Sequence, residues 1–117
     1  MNESKIILTS IPQSDGLIKL RPTLVLRKMP LYGDLLVCGI STQIAHYIPE
    51  FDEIISETDS DFKSSGLLQK SLIRLSFLTI LPQKNIKGSI GQISEIRYNK
   101  LINNLSAYIS KGEFKNN

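Results

Sequence analysis

Residues 21–44 read RPTLVLRKMPLYGDLLVCGISTQI, and this stretch decides the fold of the chain. It contains two apolar runs, residues 23–26 and 35–38, separated by a segment that includes Pro30 and Gly33. Each run has the length and the β-branched content of a buried strand, and proline with glycine marks a turn. The stretch therefore predicts a β-hairpin.

The pairing of the two strands makes a geometric prediction. If Arg27 faces Asp34, an antiparallel register brings Arg21 opposite Ile40, give or take one residue. Pro22 favours an extended conformation at Arg21 and is tolerated at the first residue of a strand. We therefore expect Arg21 at the start of its strand, on the rim of the sheet.

Polar residues follow the second strand of this hairpin. Ser41 and Thr42 supply two hydroxyls and Gln43 an amide, all near the expected position of Arg21. A guanidinium that meets hydroxyl and amide groups at one end of a sheet is a plausible phosphate site. The alternatives for these residues are a surface salt bridge for Arg21 and a turn cap for the two hydroxyls.

Outside the hairpin, further strands are predicted at residues 5–10, 51–56, 71–81 and 86–91. The segments 11–20 and 57–70 are predicted as loops. Alternation along residues 71–81 places Ile73 and Thr79 on one face. A helix is predicted from an N-cap at Ser94 to a stop at Gly112. Its core-facing stripe comprises Tyr98, Leu101, Ile102, Leu105, Tyr108 and Ile109.

The predicted fold class is mainly β. It is a small, strongly curved antiparallel sheet or barrel with a C-terminal α-helix packed on it. The 117 residues are most simply a single domain, 1–117.

Composition and charge narrow the class of protein. No apolar run approaches the ~20 residues that cross a bilayer, so no membrane association is expected. One cysteine, Cys38, lies within an apolar strand, which indicates a reducing compartment and the cytoplasm.

Six of the 11 acidic residues fall between positions 50 and 61, where no Lys or Arg occurs. If that segment projects, the remaining surface is basic and suits a polyanion; scattered solvating lysines are the alternative.

Metal and cofactor sites lack their usual sequence motifs. The chain contains no glycine-rich nucleotide loop and no paired-cysteine zinc spacing. Residues 58–63 begin like a calcium loop, but Lys63 stands where an oxygen ligand belongs. His46 has no neighbouring His or Cys, so it is either an acid–base group or a loop residue. We therefore expect no metal and no cofactor.

Taken together, the motifs RPTLVL, YGD, LLVCGISTQI, SLIRL and KGSIGQIS before a helix resemble the MazF/PemK-like toxins of bacterial toxin–antitoxin systems. The resemblance spans roughly residues 5–110. It implies an SH3-like barrel with a C-terminal helix, a homodimer, and metal-independent cleavage of single-stranded RNA. It also implies a cognate antitoxin whose acidic, disordered tail covers the substrate groove.

The resemblance assigns roles to individual residues. Arg21 matches the catalytic arginine of the family, and Ser41, with Thr42 beside it, falls at the catalytic hydroxyl. Gln43 matches the glutamine that follows. The loop containing Gln13, Ser14 and Asp15 corresponds to a mobile loop over the substrate. Independently of the resemblance, His46 at the exit of its strand and Arg74, an isolated charge in an apolar strand, are further candidates for substrate binding.

The same roles follow from the chemistry of RNA cleavage. A 2′-hydroxyl can attack the adjacent phosphorus without a metal if an arginine neutralises the growing charge and a hydroxyl or amide orients the nucleophile.

Other interpretations stay open. Residues 76–79 read SFLT where many family members are polar, which leaves room for a degenerate member that only binds antitoxin or RNA. Arg74 either contacts RNA or pairs with a carboxylate. A non-enzymatic inhibitor of a protein target is the remaining alternative, although the chain has no tryptophan, on which related gyrase poisons depend.

Overall fold

The computed structural model describes residues 3–12 and 16–113. These residues form six strands, two α-helices and two 3-10 turns. The strands are β1 (Lys5–Pro12), β2 (Ile18–Lys28), β3 (Leu35–Ser41), β4 (Glu53–Ile55), β5 (Ser71–Leu81) and β6 (Ile86–Gln92). The helices are α1 (Phe62–Ser65) and α2 (Glu95–Lys111), and the 3-10 turns are Ile44–His46 and Gln83–Asn85.

All six strands belong to one antiparallel sheet with the order β4-β5-β3-β2-β1-β6. The prediction of a mainly β fold with a C-terminal helix is confirmed. Within the described residues no strand pairing joins β4 to β6, so the sheet is open rather than a closed barrel. Helical residues link the two edges instead. Arg97 of α2 binds Glu53 of β4, and the Ser64 hydroxyl of α1 donates to the Gln92 carbonyl of β6 at 3.1 Å.

Strands β1 and β2 run further than the sequence predicted. Their pairing continues as far as Pro12 with Ile18, so the prediction of a loop over residues 11–20 was wrong for residues 11–12 and 18–20. Arg21 consequently lies within β2 rather than at its start, directly opposite Thr9 of β1. The first strand thus becomes a neighbour of the arginine.

The β2–β3 hairpin forms as predicted, but its register differs. Arg27 pairs with Leu36 rather than with Asp34: the pairing before the bulge is already one residue from the predicted register, and the shift between Val25 and Arg27 adds one more. Past this bulge Thr23 pairs with Gly39. Continued by two residues, that register leads from Arg21 to Ser41, one position from the prediction.

Strand β5 contains a large bulge at its centre. Cys38 pairs with Leu78, whereas the next residue of β3, Gly39, pairs with Arg74, which leaves residues 75–77 without partners on β3. Three extra residues reverse the alternation of side chains. Ile73 therefore packs in the core beneath α2, while Thr79 lies opposite Val37 on the other face. The prediction that Ile73 and Thr79 share a face was wrong.

The bulge leaves the N–H of Leu75 without a partner on β3, and the side chain of Asp52 accepts this N–H instead. This side chain is buried, Oδ1 accepts the N–H of Leu75 at 3.0 Å, and Oδ2 accepts the N–H of Ile48 at 3.0 Å. Burial raises the pKa of Asp52, although the two N–H donors and the charge of Arg74 oppose that rise. A buried carboxylate thus fixes the bend of β5.

The main core lies between the sheet and α2. Helix α2 contributes Leu101 and Leu105, which are both buried against residues of β1, β2, β3 and β5. The predicted stripe continues to Tyr108, whose ring centroid lies 5.2 Å from that of the buried Phe51. Ile109 is 71% exposed, so its assignment to the core was wrong. Cys38 is fully buried in this core, and burial raises the pKa of its thiol, which keeps it unreactive. A smaller core, formed by Ile7, Val25, Leu35 and Val37, occupies the other face.

Both predicted ends of the helix are confirmed. The Ser94 Oγ accepts the N–H of Arg97 at 3.1 Å, which satisfies one of the free donors of the first turn. Gly112 adopts the left-handed conformation, with a φ of 72°, and ends the helix.

The acidic segment folds back onto the start of α2 instead of projecting. Three nitrogens of Arg97 each donate to a different carboxylate: Nη1 to Glu53 at 3.0 Å, Nη2 to Asp59 at 3.0 Å, and Nε to Asp61 at 2.9 Å. Burial by itself raises the pKa of Asp61, but hydrogen bonds from Arg97 and from the Ser94 N–H outweigh it and hold that pKa below its usual value. Much of the acidic charge is therefore neutralised locally.

A close contact between α1 and β6 depends on Gly91. A Cβ at this position would overlap the carbonyl oxygen of Ser64. We expect Gly91→Ala to lower the free energy of unfolding by about 3 kcal/mol, because backbone must move to admit the methyl group. Gly88→Ala in the same strand meets no atom within 4 Å and should change it by less than about 1 kcal/mol. Urea unfolding measures both variants, and equal midpoints would contradict the prediction.

Candidate functional site

An open cleft of about 550 Å³ lies over β1, β2, β3 and β5. Its lining includes Val37 of the smaller core and six residues that bear hydroxyl groups. The hydroxyl-bearing residues are Thr9, Ser10, Thr23, Ser41, Thr42 and Thr79.

Arg21 is the only charged residue among the described residues that line the cleft. Its side chain is half-buried, and within the described part of the chain its guanidinium makes no hydrogen bond and no ion pair. No carboxylate of those lining residues competes for it. An unpaired guanidinium among hydroxyl donors is a site for an anion, and its fork of donors matches two oxygens of a phosphate.

The end of β3 lies beside Arg21 on the neighbouring strand. Ser41, Thr42 and Gln43 all line the cleft, and the register of β2 and β3, continued past Thr23 and Gly39, brings Ser41 next to Arg21. The Ser41 Oγ accepts the N–H of Gln43 at 3.0 Å, which fixes the turn after the strand. The Ser41 hydroxyl hydrogen is still available to donate, so this residue combines a turn cap with a group facing the cleft.

Comparison with protein-family models matches residues 3–109 to the PemK-like, MazF-like toxins of type II toxin–antitoxin systems. The chain belongs to this family. The match covers most of the toxin and includes every residue that lines the cleft. Membership of a type II system implies an antitoxin partner. A search of curated proteins gave no match.

In this toxin two of the predicted site residues lie away from the cleft. His46 is exposed in the 3-10 turn after β3 and is not a lining residue. Arg74 lies in the first half of β5, before the bulge. Its Nε is buried and has no hydrogen-bond partner among the described residues. Its charge acts on the nearby carboxylate of Asp52. Gln13, Ser14 and Asp15 lie outside the residues that the structure describes.

The cleft of the toxin also contains residues that the sequence analysis missed. Thr9 could have been found only if residues 5–12 and 18–28 had been predicted as one long hairpin, whose register brings Thr9 opposite Arg21. Phe77 could not, because the bulge of β5 alters which face it occupies.

Neither helix in the described part of the toxin is long and apolar enough to span a membrane.

Proposed function

We propose that the protein is an endoribonuclease that cleaves single-stranded mRNA without a metal ion. The observation that carries this proposal is the guanidinium of Arg21, which has no partner within the described part of the chain and lies in a cleft whose described residues bear hydroxyls and no carboxylate. Such a cleft attracts a polyanion and gives one phosphate a fixed partner. Membership of a toxin family whose antitoxins act by neutralising a harmful activity fits an attack on RNA.

The reaction needs only groups that the cleft offers and the RNA itself. The 2′-oxygen of a ribose attacks the adjacent phosphorus, the new 2′-oxygen–phosphorus bond forms, and the bond to the 5′-oxygen of the next nucleotide breaks. The proton of the 2′-hydroxyl passes to a non-bridging oxygen of the phosphate and from there to the departing 5′-oxygen, so no residue of the cleft has to act as a base. The products are a 2′,3′-cyclic phosphate and a 5′-hydroxyl.

Each proposed site residue has a distinct task. Arg21 binds the phosphate oxygens and neutralises the negative charge that grows on them in the transition state. Ser41 and Thr42 orient the ribose hydroxyl, and Gln43 binds the sugar or base beside it. Holding the reacting oxygen in line with phosphorus converts a slow encounter into a positioned reaction.

The antitoxin and the quaternary structure complete the proposal. We infer that an acidic, disordered tail of the cognate antitoxin occupies the cleft and pairs with Arg21, which would exclude RNA. The whole chain, 1–117, would act as one domain in a cytoplasmic homodimer.

The decisive experiment incubates the purified protein with a defined single-stranded RNA in the presence of EDTA. We expect fragments with 5′-hydroxyl and cyclic phosphate ends. The same oligonucleotide with 2′-deoxyribose throughout should stay intact, because it lacks the nucleophile. Cleavage only after addition of Mg²⁺, or products with 5′-phosphates, would contradict the mechanism.

A second candidate is a degenerate member of the family that binds RNA or antitoxin without cleavage. Phe77 and Thr79, rather than charged groups, line the cleft on the β5 side, and this observation favours it. Binding of the RNA without fragments in the same assay would identify this function.

A further inference from the structure

An aromatic ring lies exposed in the cleft that contains Arg21. Phe77 lines this cleft, yet 47% of its surface remains accessible to solvent. The ring packs directly over Gly39 of β3, since a Cβ at Gly39 would lie only 3.3 Å from the Phe77 Cγ. One edge of the ring thus contacts bare backbone, and much of the rest faces the open cleft.

The fold holds the ring in this position at a structural cost. Phe77 is the last of the three residues at which β5 leaves its partner β3, and the bulge depends on the buried carboxylate of Asp52, which accepts the Leu75 N–H at 3.0 Å. A regular strand would need neither the bulge nor a buried acid. Exposing a large aromatic ring also forgoes its burial, which is otherwise strongly favourable. These features together indicate that the ring contacts a ligand.

A buried hydroxyl without a partner lies beside this ring. Thr23 is 3% exposed, pairs with Gly39 across the sheet, and lines the same cleft. Its Oγ1 is buried and has no hydrogen-bond partner among the described residues. Buried polar atoms are nearly always satisfied, so this hydroxyl lacks a partner that a ligand atom could supply. Because Oγ1 is covered in the structure, a ligand reaches it only when the side chains above it move apart.

We propose that Phe77, Gly39 and Thr23 form a subsite for an unpaired nucleobase of the RNA. The base stacks on the Phe77 ring, and the Thr23 hydroxyl forms a hydrogen bond with the edge of the base. Thr23 and Arg21 lie two residues apart on β2, about 7 Å, with side chains on one face. The subsite therefore lies next to the proposed phosphate position. This inference rests on the proposed function and adds a determinant of base preference.

Stacking and hydrogen bonding make separate contributions here. Every base has a flat face, so stacking on Phe77 supplies affinity with little sequence preference. The edges of the bases differ in their donors and acceptors, so the Thr23 hydroxyl supplies discrimination between them.

The test uses a single-stranded 2′-O-methyl RNA that contains 2-aminopurine and cannot be cleaved by attack of its own 2′-oxygen. We expect the full-length protein to quench the 2-aminopurine fluorescence on binding. Phe77→Leu should weaken binding about tenfold or more and abolish the quenching, because leucine fills space but offers no ring. Phe77→Trp should retain both. Tyr32→Leu removes an exposed ring outside the cleft and should bind like the wild type.

Thr23→Val keeps the shape of the side chain and removes only the hydroxyl. We expect this variant to bind RNA a few-fold more weakly than the wild type. Its affinities for the four homopolymeric 2′-O-methyl RNAs should become nearly equal, which a purely structural effect would not cause. Wild-type affinity and quenching with Phe77→Leu would overturn the subsite and assign the ring to a protein contact. Because the probe is uncleavable, this result is independent of whether the protein cleaves RNA in EDTA.

Discussion

Arg21→Ala should abolish RNA cleavage, with kcat/KM lower by about 10³-fold or more, while the fold persists. A group that neutralises charge developing on a transferred phosphate contributes on this scale in other enzymes. Within the described residues the Arg21 guanidinium has no partner, so its removal leaves no buried charge behind. The melting temperature should therefore stay within a few degrees of the wild type. Cleavage of a fluorescent single-stranded RNA in EDTA measures the effect.

Two further variants make this experiment specific. Arg21→Lys keeps the charge but not the planar fork of donors, so we expect activity between that of the wild type and that of the alanine variant. Arg27→Ala removes an exposed arginine from the same strand, outside the cleft and 3.9 Å from Glu3, and should leave kcat/KM within about twofold. Equal cleavage by wild type and Arg21→Ala would show that Arg21 takes no part in the reaction.

Local sequence signals were sufficient for most of the fold. The two apolar runs of the β2–β3 hairpin, the serine cap of α2 and the glycine at its end each act through nearest neighbours. Such features follow from short-range backbone preferences. For the same reason the sequence could predict that Arg21 and Ser41 lie close together, since one hairpin determines their separation.

The features that the sequence did not predict depend on contacts between distant residues. The bulge of β5 requires Asp52, which is 23 residues away from the Leu75 N–H that it accepts. Nothing within residues 71–81 marks the position of the bulge, so strict alternation assigned Thr79 to the wrong face. The position of Phe77 in the cleft follows from the same bulge. Long-range pairing of this kind overrides a local pattern.

The acidic segment illustrates the same limit. Its six carboxylates suggested a projecting loop, because no basic residue occurs between positions 50 and 61. The partner is Arg97, which lies 36 residues after Asp61 in the sequence and directly beside it in space. Charge patterning along a chain does not show which distant cation will neutralise a cluster.

Arg97→Gln should cause the largest loss of stability of any substitution considered, about 3 to 5 kcal/mol. The Arg97 side chain is 12% exposed and serves three carboxylates, two of which, those of Glu53 and Asp61, are themselves largely buried. Glutamine cannot neutralise them, so charges that have already lost their hydration stay unpaired. Lys100→Gln on the same helix removes an exposed partner of the same Glu53, at 3.1 Å, and should cost no more than about 1 kcal/mol. Urea unfolding of both variants at pH 7 gives the comparison.

The pH dependence of this loss identifies its cause. Arg97 and the Ser94 N–H hold the pKa of Asp61 below its usual value, so Asp61 stabilises the fold at pH values above about 4. That contribution disappears as the pH falls through the lowered pKa and the carboxyl is protonated in both folded and unfolded chains. The difference between wild type and Arg97→Gln should therefore shrink as the pH falls from about 4 through the lowered pKa of Asp61. Asp52, whose pKa is raised, contributes with the opposite sign but equally in both proteins. A difference that stays constant over this range would mean that Arg97 stabilises α2 by packing alone.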